Sequence, residues 1–175
     1  SFFWMIGFGA LSLLPSLIKD GLGANQGAVT MGLAAFTIGI AIGAAIAARA
    51  SHARPNLALV PIGAFLMAVA LGAIALMTIG ITPPAASAPR VSAMDLLASA
   101  AGLKLMAALV LLSIAGGFYI VPSFAAVQSW AAPERRARVV AGVNVLNTVY
   151  MFAGGGLLMA LGALGLSLPW LFAAL

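Results

Sequence analysis

Long apolar runs, each near the length of one bilayer crossing, fill almost all of this 175-residue sequence. A helix needs about 20 apolar residues to cross a hydrocarbon core about 30 Å thick. Five such stretches stand near residues 1 to 18, 27 to 48, 57 to 81, 102 to 128 and 138 to 161, and a sixth begins near 168 and is cut off at 175. Charged residues make up 6% of the chain and mean hydropathy is +1.19, whereas soluble domains are about one quarter charged. The pattern predicts an all-α, polytopic membrane bundle. The first run has no basic segment before it, so it does not read as a signal peptide. A start inside an apolar run without Met, and a short last run, read as part of a longer protein.

Charge sets the orientation. Five of the six arginines fall in two short segments, Arg49 and Arg54 in 49 to 56 and Arg135, Arg136 and Arg138 in 131 to 138. Short basic loops are retained in the cytoplasm, so both are expected inside, where their arginines also meet lipid phosphates. The opposite segments are near neutral, Lys19 with Asp20 and Arg90 with Asp95. Trp4 and Trp130 then fall at inner helix ends and Trp170 near an outer one, the headgroup level that amphipathic rings prefer. Thr82 to Asp95, with three prolines, reads as an irregular outer loop dividing three helices from three more. Transporter halves built from inverted three-helix repeats have that division. Pro15-Ser16 and Pro122-Ser123, late in the first and fourth helices, are compatible with it.

Lipid is as apolar as leucine, so membrane helices use small residues to bring backbones together. Gly32, Gly39, Gly43 and Ala47 form such a stripe in the second helix, with packing a stronger expectation than a dimer role. Gly116-Gly117, Pro122 and Gly154 to Gly156 are places where the fourth and fifth helices could bend.

A polar group inside a bilayer needs a reason. In the fifth helix Asn144, Asn147, Thr148 and Met151 share a face by their spacing of three and four. Such an amide face points to a partner helix or a wet cavity, and the two can coexist. The fourth helix offers Tyr119 and Ser123 on one face and Gln128 near the inner mouth; packing competes with substrate contact at Tyr119, and headgroup anchoring competes with it at Gln128. Lys104 reads as a snorkelling side chain and Lys19-Asp20 as an interfacial pair. His52, alone in a basic loop, is a poor metal ligand or proton relay.

Catalysis has little to work with. The acids are Asp20, Asp95 and Glu134, all in loops, with one His and no Cys. No acid/base pair, nucleophile triad or metal cluster can be assembled, and no phosphate-loop motif is present, so neither cofactor nor metal is expected. The net charge of +5 follows membrane topology rather than a soluble face, which argues against nucleic acid.

The stretch GGFYIVPSFAAVQSWAAPERRARVVAGVNVLNTVYM, Gly116 to Met151, resembles the tenth and eleventh helices of bacterial lysophospholipid transporters of the major facilitator superfamily. SFFWMIGFG from Ser1 and IKDGLG from Ile18 resemble the start and end of their seventh helix. The resemblance implies the carboxy-terminal six-helix half of a twelve-helix transporter that moves lysophospholipids such as lysophosphatidylethanolamine inward across the bacterial inner membrane. It further implies a missing amino-terminal half. In some members the transporter is fused to an acyltransferase and an acyl-activating domain, and the Lys-Asp helix end looks more like those forms. Helices one, two, four and five would face the cavity, with three and six peripheral. Gly9 to Pro15 carries no charge, unlike the basic mid-helix residue of some stand-alone members, which speaks against phosphate pairing from helix one.

A single-chain lipid needs an apolar wall with a few headgroup donors. Asn144, Asn147, Tyr119 and Gln128 are the expected headgroup or gating contacts, and Phe118, Met106 and Met151 the border of the acyl path. The rival readings are a major facilitator exporter of hydrophobic drugs and a non-transporting membrane anchor for a lipid-modifying enzyme.

Overall fold

Apolar sequence with few interior breakers forms long helices, and a computed structural model describes residues 1–51, 54–85 and 87–175 of the chain in that form. Helix α1 spans Phe2–Ser16 and runs on into a π-helical turn, Leu17–Gly21; α2 is Gln26–Ala50 and α3 Leu59–Thr78. Then come α4 (Ala93–Ala98), α5 (Ala100–Trp130), a 3-10 turn at Pro133–Arg135, α6 (Arg136–Ala163) and α7 (Leu168–Ala173). Five helices, counting α1 and α6 with their adjoining turns, are long and apolar enough to cross a membrane. The protein is an all-helical membrane protein; the only β pairing among the described residues is one isolated bridge.

One expectation needs correcting. The Pro-rich segment is not irregular as far as Asp95, because α4 starts within it. The Ser92 hydroxyl accepts from the Asp95 backbone N–H (3.2 Å) and donates to the Asp95 carboxylate (2.6 Å), a side-chain cap that nucleates the short helix. Ser99 caps α5 likewise through Gly102 N–H (3.0 Å), and Asn25 caps α2 through Ala28 N–H (3.0 Å).

Helix α5 is the centre of the bundle, packed most extensively against α2 and α3, while α1 pairs with α6 and α7 lies on α3. The core between them includes Leu14, Leu17, Ile74, Leu109, Leu112 and Phe172. Backbones touch where α2 meets α5. A Cβ at Gly43 would fall on the Ile114 carbonyl oxygen, one at Gly39 on the Ser113 hydroxyl, and one at Gly117 within 2.6 Å of Ala44 N. Gly32, at the other end of the stripe, faces Ile18 and Leu14. The missing side chains are what permit this approach, and dispersion over a long close contact replaces the hydrophobic drive that lipid does not supply.

Register follows from the same contacts. Gly32 lies near Leu109, Gly39 near Ser113 and Gly43 near Gly117, so α2 and α5 run parallel. Met5 lies on Gly154 and Gly9 near Leu158, so α1 and α6 also run parallel.

At the end opposite the arginine loops, the segment before α4 is strapped to the end of α1. Asn25 N–H donates to Val91 O (2.9 Å), Val91 N–H donates to Gly23 O (3.0 Å), and Arg90 Nη1 donates to Lys19 O (2.6 Å). Gly23 takes φ +64° with Pro84 against it, a backbone conformation and a contact that a side chain would oppose. Lys19 and Asp20 are both exposed, and the strap uses the Lys19 carbonyl rather than its ammonium.

Candidate functional site

Because α6 packs on α1 alone along most of its length, much of its surface is left open, and three grooves border that surface or its basic end. The first, about 690 Å³, runs between α1 and α6 and is lined by Phe8, Ser12 and Leu13 on one side and by Thr148, Met151, Phe152, Gly155 and Met159 on the other. Its walls are almost wholly apolar. The second, about 630 Å³, lies at the basic end and is lined by Gln128, Arg136, Val140 and Asn144. The third, about 490 Å³, opens beside it between the α2–α3 turn and the start of α6, with Arg54, Gln128, Ser129 and Arg136 in its walls.

Helical spacing joins the first two. Ala137, Ala141, Asn144, Thr148, Met151, Gly155 and Met159 recur at three and four residues, so they form one continuous face of α6. From Arg136 to Met159 that face is about 35 Å long at 1.5 Å per residue. It is polar and cationic at the end near Arg136 and Gln128, carries one amide at Asn144, and is apolar beyond Thr148. The Thr148 hydroxyl donates back to Asn144 O (3.0 Å), which satisfies it within the helix and leaves the groove with few donors.

Asn147 is turned from this face. It is buried at 6% exposure, against α1. With its carboxamide oriented to satisfy both ends, Oδ1 accepts from Trp4 Nε1 (3.0 Å) while Nδ2 donates to Ser1 Oγ (3.0 Å) and Val143 O (3.2 Å). No protein family, curated protein or solved structure matches the chain.

The residues expected to act together divide into three sets. Asn144 and Gln128 line one groove at the basic end, together with Arg136, which was expected to set topology and meet lipid. Asn147 joins Trp4. Tyr119 stacks on Phe3 with ring centroids 6.0 Å apart and planes at 14°, and faces a separate apolar pocket of about 300 Å³ with Met67, Leu71 and Phe172. Ser123 donates to Tyr119 O (2.6 Å) and is thus spent within α5.

Met151 lines the long groove; Phe118 lines none of the three, and its backbone instead backs onto Gly63 of α3. Met106 lines none of the three grooves either, being 5% exposed within the core. Phe8, Ser12, Phe152 and Gly155 were missed, although Phe8 and Ser12 stand one turn apart and Thr148, Phe152 and Gly155 continue the Asn144 face.

The arginines are exposed, Arg49 in the last turn of α2 where a cation complements the helix dipole, and Arg135 and Arg138 on either side of Arg136. His52 lies outside the described residues. Among the described residues no three His, Cys, Asp or Glu side chains stand close enough to hold a metal ion.

Proposed function

We propose that the chain is the carboxy-terminal six-helix half of a major facilitator transporter that moves lysophospholipids inward across a bacterial inner membrane. The observation that carries this reading is that one α6 face borders a cationic, amide-bearing groove at its basic end and, one turn beyond Asn144, a separate apolar groove. An amphiphile with one acyl chain has that same division. Gln128 and Asn144 would meet the headgroup, and Met151, Phe152, Met159 and Phe8 the chain. A fully polar solute would lose its hydration along the lane without compensating hydrogen bonds.

Part of the packing is consistent with the repeat, although the extensive α3–α5 pair has no comparable counterpart in α7–α1. Exchanging α1, α2 and α3 for α5, α6 and α7 turns the α2–α5 pair into α6–α1 and leaves α3–α7 as it is. Both exchanged pairs are parallel, as a pseudo-twofold axis in the membrane plane requires. Within such a half, α2 and α6 keep exposed faces for an amino-terminal partner half. The basic turns at Arg49 to Arg54 and Arg135 to Arg138 lie together on the side assigned to the cytoplasm.

The test is inward movement of labelled lysophosphatidylethanolamine by the full-length protein in proteoliposomes, with diacyl lipid and a cationic drug as controls. Selective lysolipid flux supports the reading. Drug export without lysolipid flux would replace it with an exporter, and no flux from folded protein would leave a membrane anchor.

A further inference from the structure

Orientation in a membrane requires only that basic residues lie in the retained loops; it does not require them to meet. Two of them do. Arg54, from the turn between α2 and α3, and Arg136, the first residue of α6, both line one cleft of about 490 Å³ whose remaining polar wall comes from Ser51 at the end of α2 and from Gln128 and Ser129 at the end of α5. We infer that this cleft is a binding site for a phosphate group, held between the two guanidinium forks with the Gln128 amide as a third donor.

The hydrogen-bond inventory shows which groups are available. The Ser129 hydroxyl is committed to Ala126 O (3.0 Å) and the Ser51 hydroxyl, also in the wall, to Ala47 O (2.7 Å), so neither proton faces the cleft. The guanidinium groups of Arg54 and Arg136 and the amide of Gln128 have no hydrogen-bond or ion-pair partner among the described residues. Glu134, the acid nearest in sequence, lines neither this cleft nor the adjoining groove. Two like charges drawn into one cleft without a counter-charge repel, and an anion with several acceptor oxygens removes that repulsion. Arginine forks match phosphate oxygens in pairs, which a single ammonium cannot do.

Gln128 and Arg136 also belong to the groove on the Asn144 side. The phosphate cleft thus shares Gln128 and Arg136 with the mouth of the proposed lane, but its test reads binding and does not depend on transport. A phosphate at this level comes either from the headgroup of an anionic lipid in the cytoplasmic leaflet or from a soluble phosphate, and the probes below separate the two.

Thermal unfolding of the purified protein in detergent would be followed while phosphatidylglycerol, phosphatidylcholine or inorganic phosphate is added. The expected result is stabilisation by phosphatidylglycerol or by inorganic phosphate, according to the source, with apparent affinity about tenfold weaker in R54Q and in R136Q. R135Q and R138Q, which change the same net charge outside the cleft, should retain it. R54K should show an intermediate loss, because it keeps the charge and removes the fork; it also serves should R136Q fold poorly. Phosphatidylglycerol alone active identifies a lipid site, and inorganic phosphate active identifies a soluble one. Stabilisation by neither probe, or equal losses in R135Q and R54Q, overturns the site in favour of diffuse surface charge.

Discussion

Asn147 of α6 accepts a 3.0 Å hydrogen bond from the indole N–H of Trp4 in α1, so the most deeply placed amide of the chain ties two helices together. Interhelical hydrogen bonds in membranes average about 0.6 kcal/mol, because an unpaired group finds other partners in the membrane-embedded unfolded state. Asn147→Ala should therefore destabilise the protein by about 1 kcal/mol, and Trp4→Phe by a similar amount. The double variant should be little worse than either single one, since each removes the same bond. Denaturant unfolding in micelles measures all three. Additive losses would mean that the two side chains act separately, and Asn147 would then return to the set of substrate contacts.

The α2–α5 seam depends on glycine at a few positions and not at others. Gly43→Ala places a methyl group on the Ile114 carbonyl, and Gly117→Ala places one against the α2 backbone. Each should lower stability by about 1 to 3 kcal/mol, the usual range for overpacking. Gly142→Ala in α6 meets nothing within 4 Å and should be neutral or slightly stabilising, since Ala is the better helix former. Melting temperatures in one detergent decide the matter; equal sensitivity at Gly43 and Gly142 would contradict the close approach.

The number and rough extent of the helices were legible because bilayer thickness imposes a length and apolar composition reveals it. α2 and α6 each extend only one or two residues beyond the apolar runs at either end. The glycine stripe on α2 was also visible, but not its partner, because Gly and Ala recur in nearly every helix here and spacing alone does not choose among faces. The site was less legible for the same reason. Asn144 and Asn147 are three residues apart, close enough to share a broad face, yet α1 packs over Asn147, which bonds Trp4, and leaves Asn144 exposed in a groove that α1 does not line. Tyr119 was misgrouped because α5 is central and its faces look toward different neighbours. Convergence of Arg54 with Arg136 depends on where the α2–α3 turn lies relative to α6, which no local pattern encodes.

The strap at the end of α1 should yield to one substitution. Arg90 is the side chain that crosses from the Pro-rich segment to the π-helical turn, through Lys19 O at 2.6 Å. Arg90→Ala removes this charged donor and leaves the short backbone pairing of Gly23 and Asn25 with Val91 to hold alone. Amide exchange at Val91 and Asn25 should quicken by about tenfold, the effect of losing one charge-assisted hydrogen bond. Exchange in the middle of α5 should not change. Unchanged rates at Val91 would show that the pairing needs no help from the guanidinium.

Gly156 offers the most direct test of the lane. It lines the groove between α1 and α6, and a Cβ built on it meets nothing within 4 Å, so a larger side chain enters the groove without displacing a packed neighbour. Gly155 is different, because a Cβ there stands 3.0 Å from the Phe8 ring. Gly156→Leu should leave the melting temperature near that of the parent while filling part of the space assigned to the acyl chain. Uptake of long-chain lysolipid should fall by about tenfold, the effect of losing well over 1 kcal/mol of apolar contact. A short-chain analogue that does not reach Gly156 should be affected less. Initial rates for the two lipids in proteoliposomes of matched protein content give the comparison, and an equal loss for both would place the obstruction outside the chain's path.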